Sequence, residues 1–308
     1  MTAETTRMPQ GTHNSRPAPA VSVVVPCYNA APFLDGLQAT LAAQTFRDFE
    51  IVIVDDGSTD ARSVQMLAQL DPAIIVIRQA NKGPAAARNT GIRAAHAPLV
   101  LALDCDDAIS PDFLAAVVPA LQSAPADVGY VFTDMRLSGL NDEFFPQHFK
   151  LFDQLFVNRI PCCLLMRKSA WQASGGYDDA MLEGFEDWEF TIGLAQAGYR
   201  GVKVGGPLFF YRVNDEGRMM SRAAQQHGRL WSYIRRKHAD FYSLPDVIGL
   251  WWQTRAQQGD VSLARALFML ALGSTLPSGW LDRLFYRIRL YRHLSRIAQR
   301  SARPAAGC

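Results

Sequence analysis

Short, mostly apolar runs alternate along this chain with longer segments whose apolar residues recur every three or four positions. Val21 to Val25 is a run of the first kind, closed by Pro26-Cys27-Tyr28-Asn29, and it predicts a strand buried on both faces. From Pro32 to Ala43 the residues Phe33, Leu34, Leu37 and Leu41 share one helical face. Glu50 to Val54 predicts a second strand, ending in Asp55-Asp56-Gly57-Ser58-Thr59-Asp60, and Asp60 can cap a helix running to Leu70. Ala73 to Ile77 predicts a third strand, Ala85 to Ala95 a helix opened by Gly83-Pro84, and Pro98 to Leu103 another buried strand. This alternation argues for βαβ units and an α/β fold with a mostly parallel central sheet.

The second half is less regular. A helix from Pro111 to Gln122 precedes an extended stretch, Val128 to Met135, and then an aromatic segment, Arg136 to Asn158, holding Phe144, Phe145, Phe149, Phe152 and Phe156. A loop so apolar must cover something or be covered. Ile160 to Met166 predicts a strand, Glu186-Asp187 opens a helix to Ala197, and Leu208 to Val213 predicts the last strand. Beyond Arg222 the pattern is helical: Ala223 to His238, Pro245 to Gln258, Val261 to Leu272 and Gly279 to Gln299.

Composition narrows the class. At 308 residues, with 49% apolar and 19% charged, this is an ordinary globular chain, and no run reaches the length of a membrane span. Met1 to Pro19 is polar without an apolar signal region, which predicts a disordered lead-in and a cytoplasmic protein. The five cysteines are odd in number and none forms a CxxC pair, so neither a disulfide framework nor a zinc site is supported. The net charge of +2 conceals an asymmetry: residues 222–308 carry 14 Lys+Arg against 4 Asp+Glu, leaving −8 for residues 1–221. An anionic partner is expected for the basic tail. Arg289, Arg292, Arg296 and Arg300 line one face of its last helix, which suits either docking on an anionic membrane surface, peripherally on its inner face, or packing with a solvated arginine face. No nucleic-acid signature accompanies the arginines.

Three places carry candidate chemistry. Asp104-Cys105-Asp106-Asp107 ends a buried strand, where ligands bind in open α/β sheets. Clustered carboxylates there fit a divalent cation, or equally a solvated acidic turn. The start of the Gly83-Pro84 helix, with Lys82 before it and Arg88 in its first turns, fits an anion site or a small-residue helix packed on the sheet. Asp187, in the first turn of its helix, fits a catalytic base or a cap.

In order, Val21 to Asn29, Val54 to Asp60, Asn81-Lys82-Gly83-Pro84-Ala85-Ala86-Ala87-Arg88-Asn89-Thr90-Gly91, Asp104-Cys105-Asp106-Asp107, and Gly176-Tyr177-Asp178 followed by Gly184-Phe185-Glu186-Asp187-Trp188 resemble the inverting family 2 glycosyltransferases of the GT-A fold. The resemblance covers about residues 20–215. It implies a GT-A, Rossmann-like nucleotide-diphospho-sugar transferase domain at 20–221, with a donor half at about 20–107 and an acceptor half at about 108–221, followed by a basic helical region at 222–308. It further implies that Pro26, Tyr28, Asn29, Asp55 and Asp56 contact the nucleoside, that Lys82, Arg88 and Asp104 help hold the donor, and that Asp106 binds Mn²⁺ or Mg²⁺. Asp187 matches the general base, Glu186 a residue that orients it or binds acceptor, and Trp188 a border of the acceptor sugar. The implied partners are a nucleotide sugar, a UDP-sugar first among them, and a glycan or lipid-linked acceptor in cell-surface polysaccharide or glycoconjugate synthesis. Many relatives carry a histidine shortly after the pair matching Tyr211-Arg212, where this chain has Asn214, so the third metal ligand stays open. A metal-dependent nucleotidyltransferase and a catalytically idle nucleotide-binding scaffold, recruited to membranes by the basic tail, are the competing readings.

Overall fold

A computed structural model describes residues 18–139, 143–160, 162–213 and 222–288. The lead-in up to residue 17, the segment from Asn214 to Ser221 and the arginine-lined end of the last helix lie outside the described residues.

Four strands form the first half: β1 (Val21–Cys27), β2 (Phe49–Asp55), β3 (Ile75–Arg78) and β4 (Leu99–Ala102), joined through α1 (Ala31–Ala42), α2 (Ala61–Ala68) and α3 (Gly83–Ala94). All pair in parallel, with β1 between β2 and β4. Their apolar runs lack polar alternation because both faces are covered. Val21, Val23, Val25, Leu99 and Leu101 point into one core with Leu34, Leu37 and Leu41 of α1, whereas Val24, Val52, Val100 and Ala102 join Ala85 and Ile92 of α3 on the other face.

The sheet as a whole is mixed, shorter antiparallel pairings joining the parallel half. After β5 (Ala108–Ile109) and α4 (Phe113–Gln122), the chain lays down β6 (Val128–Gly139), β7 (Phe144–Phe145), the short helix α5 (Leu151–Gln154), β8 (Leu164–Arg167), the helices α6 (Lys168–Ser174) and α7 (Glu186–Gln196), and β9 (Arg200–Val213). The order is β3-β2-β1-β4-β8-β6-β9-β5, with β7 on β6. β8 enters between β4 and β6 antiparallel to both, β5 runs against β9, and β6 and β9 are parallel. The return of the chain through residues 143–160 is what reverses β8. β9 begins eight residues before the expected Leu208 and runs on through Gly205-Gly206-Pro207. That segment is an irregularity within the strand, where the register against β6 shifts at Asp134.

The C-terminal helices His227–Lys237, Leu244–Thr254, Leu263–Thr275 and 278–288 follow the expected pattern. They share a third core with earlier parts of the chain, in which Phe152, Phe156 and Trp188 meet Trp231 and Val247. The described part of the last helix packs inward through Leu281, which is wholly buried, and Asp282, which pairs with Arg229. Among the described residues no helix is long and apolar enough to cross a membrane.

Helix α3 packs tightly on the sheet at Gly91. A Cβ on Gly91 would stand 2.4 Å from Val24 Cγ1 and 3.1 Å from Val54 Cγ2. Gly91→Ala should therefore destabilise the protein by about 1–3 kcal/mol through overpacking. A lowered urea midpoint is the expected result, and an unchanged one would mean that the helix can stand off the sheet.

Candidate active site

The parallel register brings the carboxyl ends of β1, β2 and β4 side by side, with Cys27 opposite Asp55 and Val24 opposite Ala102. Asn29, left-handed at φ 50°, folds back over the β2 loop. Its side-chain oxygen accepts from Thr59 N at 2.8 Å and Asp60 N at 3.2 Å, while its own N–H donates to Ser58 Oγ at 2.9 Å. Asn tolerates this conformation because its short polar side chain bonds locally.

Both aspartates of that loop are buried and engaged. Asp55 accepts from Ser58 N at 2.8 Å and pairs with Arg78 at 3.1 Å. Asp56 accepts from Gln79 Nε2 at 2.7 Å, Lys82 N at 3.0 Å and Gly83 N at 2.8 Å. The open anion site expected at the start of α3 is thus partly filled from within, since a carboxylate on free N–H groups is favoured there. The Lys82 side chain is exposed, Pro26 is half-buried, and Tyr28 presents an exposed ring beside the loop.

Arg88, on α3, sits at the centre. Its side chain is buried; Nη2 donates to Asp104 Oδ1 at 2.6 Å and Nη1 to Glu186 Oε1 at 2.7 Å. Burial opposes its charge, but Asp104 and Glu186 raise its pKa well above the ordinary value. It bridges two sequence motifs rather than reaching out for an anion. The next residue, Asn89, is also buried: it accepts from Trp171 Nε1 and Tyr177 N, both at 3.0 Å, and donates to Tyr177 O at 2.7 Å and Asp179 Oδ1 at 2.8 Å. This pins Gly176-Tyr177-Asp178 onto α3.

The acid cluster lies between β4 and β5. Asp107 is buried, and its Oδ1 accepts from Arg212 N of β9 at 2.8 Å. Asp104 and Asp106 are half-buried. Burial, then the charge of Asp104, pushes the carboxyls of Asp106 and Asp107 upward. Ligand atoms of Asp104, Asp107 and Cys162 lie within 4.8 Å of one another, a group that does not include Asp106. Burial and the nearby Asp104 and Asp107 raise the Cys162 thiol well above its usual range, so it stays protonated. Cys105 packs partly buried against the sheet core, as its position between the acids suggests.

Helix α7 (Glu186–Gln196) supplies the opposite wall. It is entered through Gly184 at φ 106° and Phe185 at φ 65°, a left-handed non-glycine residue of the kind that marks functional turns. Asp187 accepts from Asn158 Nδ2 at 3.2 and 3.1 Å, one bond to each oxygen, and from Trp188 N at 2.7 Å. Burial and the adjacent Glu186 push its carboxyl up to about 6 against the pull of Arg88 and Asn158. The border role expected of Trp188 does not fit its position. That ring is wholly buried in the helical core, donating to Gln154 O at 2.5 Å, because it projects from α7 away from Asp187.

These walls enclose a cavity of about 240 Å³ that unites Arg88, Asp104, Glu186 and Asp187 with Met135, Phe145, Gln147, Asn158, Arg159, Ile160, Cys162 and Tyr211. Asp55, Asp56, Tyr28 and Asn29 do not line it; they shape the loop beside it. Asn158, Arg159 and Cys162 carry no sequence signal, being single polar residues in an irregular segment. Phe145 lies where an aromatic loop was expected to cover something.

The profile of Glycosyl transferase family 2 matches residues 22–183, more than half of the chain. An uncharacterized glycosyltransferase of Haemophilus influenzae is 25% identical over 228 residues, which is 71% of this chain and 76% of that protein. The structure of S. aureus TarS 1-349 in complex with UDP-GlcNAc is similar with a TM-score of 0.57 at 19% identity, over 82% of this chain and 81% of TarS 1-349. The mannosyltransferase PcManGT from Pyrobaculum calidifontis, solved with GDP-Man and Mn²⁺, gives 0.52 at 21% identity, over 89% and 85%. At these identities the two structures bear on the fold alone, and that fold is GT-A.

Removing Arg88 would leave Glu186 and Asp104 facing each other without their shared cation. Arg88→Met should destabilise the protein by roughly 3–5 kcal/mol, measured by denaturant unfolding. A loss under about 1 kcal/mol would mean that solvent already screens the pair.

Proposed function

The chain belongs to glycosyl transferase family 2, and from that premise we propose that it is a metal-dependent, inverting glycosyltransferase using a nucleotide-sugar donor, a UDP-sugar first among them. The observation that carries this reading is the Arg88 bridge, which holds the donor-side carboxylate Asp104 and the acidic start of α7 on one cavity.

In this reading Tyr28 offers its exposed ring to the base, while Asn29, Asp55 and Asp56 fix the loop against which the nucleoside lies. Lys82, exposed at the start of α3, is free to approach the diphosphate. Asp104 and Asp106 would hold Mn²⁺ or Mg²⁺. The donor set fits a hard cation: three carboxylates crowd one turn, two of them pushed upward by burial and mutual charge, and Arg88 is already shared with Glu186. Asp107 is committed to Arg212 N, which leaves Asp104 and Asp106 as the more accessible pair. When bound, the cation would neutralise the diphosphate and stabilise the departing nucleoside diphosphate.

Asp187 accepts the proton of the acceptor hydroxyl as that oxygen attacks the anomeric carbon from the side opposite the leaving group. Its raised pKa makes it a stronger base than an exposed aspartate, yet leaves it mostly ionised at neutral pH. Asn158 holds both carboxylate oxygens in one orientation, and Glu186, fixed by Arg88, sets the first turn of α7. The acceptor is proposed to be a glycan or lipid-linked hydroxyl used in cell-surface polysaccharide or glycoconjugate synthesis.

A base is active when deprotonated, so kcat should fall as pH drops through about 6. Asp187→Asn should reduce transfer by about 10²–10⁴-fold with donor affinity retained. The same substitution removes a buried charge, so its melting temperature should equal or exceed that of the wild type. Equal loss of donor binding and transfer would remove Asp187 from the role of base.

For the metal, calorimetry of nucleoside diphosphates with Mn²⁺, Mg²⁺ or chelator is the direct measurement. Binding should depend on the cation and weaken in Asp106→Ala. Metal-independent binding with unchanged affinity in that variant would exclude Asp106 as a ligand.

A further inference from the structure

Six of the ten large apolar side chains exposed among the described residues fall between positions 244 and 288: Leu244, Ile248, Trp252, Phe268, Trp280 and Ile288. Their arrangement is not random. In the helix Leu244–Thr254, Leu244, Ile248 and Trp252 recur every four residues and share one face, while Val247 and Thr254 are buried on the other. That helix is therefore apolar on both its inner and its outer side. Phe268 stands out 63% exposed from the helix Leu263–Thr275, and Trp280 is 62% exposed at the start of the helix 278–288.

The tryptophans are accompanied by cations. The guanidinium carbon of Arg255 lies 3.9 Å from the Trp252 ring centroid, and that of Arg283 lies 5.8 Å from the Trp280 centroid. Residues 222–288 hold nine Lys and Arg against four Asp and Glu. Exposed Trp with an arginine over its ring is ill matched to bulk water. It suits a bilayer interface, where the indole sits among headgroups and the guanidinium reaches lipid phosphate. Since no described helix can span a bilayer, the contact would be superficial.

We infer that the outer face formed by Leu244, Ile248, Trp252 and Arg255 docks on an anionic lipid surface. Charge complementarity selects that occupant: a second copy of this face would bring the same arginines against each other. Such docking would present a lipid-linked acceptor to the transferase, but it does not rest on that assignment, because lipid binding is measured without donor or acceptor.

The test is co-sedimentation of the full chain with phosphatidylcholine vesicles, with and without phosphatidylglycerol, at low and high salt. The wild type should pellet with the anionic vesicles and be released by salt. Trp252→Ser combined with Ile248→Ser should weaken binding at least tenfold, on the order expected for losing two inserted apolar side chains. Arg255→Gln should weaken it about fivefold, the equivalent of one surface charge at an anionic leaflet. Both variants should keep the wild-type melting temperature and any nucleotide-induced shift, which separates loss of docking from unfolding and from failure of the enzymatic reading. Wild-type protein that stays in the supernatant with anionic vesicles overturns the proposal. So does wild-type affinity in the double variant, or a dimer that the double variant dissolves while vesicles remain unbound.

Discussion

The arrangement depends on one buried cation. Arg88 has a carboxylate on each side, Asp104 at the end of β4 and Glu186 at the start of α7, residues far apart in sequence. A guanidinium can serve both because it is planar, permanently charged and forked, which a lysine ammonium is not. Its Nε has no partner in that buried position, so its stability rests on the two charged contacts. Because α3 is pressed onto β1 and β2 at Gly91, the guanidinium is anchored to the parallel half of the sheet. The position of α7 is thereby referred to the same frame as the strand ends.

The parallel half was legible in the sequence because each strand is buried on both faces and each ends abruptly in polar residues. Five motifs in order then pointed to the family. What the pattern could not give was the use of each polar residue. Asp56 looks like a ligand-facing acid but satisfies the start of α3, and Asn89, a motif residue given no role by the pattern, staples Tyr177. Trp188 looks accessible beside Asp187, yet helical geometry turns it into the core. Neighbours in sequence on a helix point in different directions, so a motif names a place more securely than it names a contact.

The Asn158 and Arg159 wall was illegible for a different reason: it is held by remote elements. Trp188 Nε1 donates to Gln154 O, Trp231 Nε1 at 3.0 Å and Tyr242 OH at 2.7 Å both donate to Leu155 O, and Asp260 N donates to buried Asp153. Arg159, on the cavity wall, pairs with Asp260. These contacts fix residues 151–159 from α7 and the C-terminal region, and no local periodicity announces them. Asn158 meets Asp187 because that segment is pinned from behind.

The family match ends at residue 183, just before α7, and covers none of the C-terminal helices. The part of the chain that follows the family pattern therefore builds the loops beside the cavity and the acid cluster. The part beyond residue 183 supplies Glu186 and Asp187 and the helices that back the Asn158 and Arg159 wall, which itself lies within the match. A donor common to many enzymes needs the same loops each time, whereas an acceptor particular to one needs its own wall. On the proposed reading, differences in acceptor among relatives follow the packing of segment 151–159 on its helices more closely than they follow the aspartate motifs. A wall supported by a separate core of Trp188, Trp231 and Phe156 can be reshaped without disturbing the sheet.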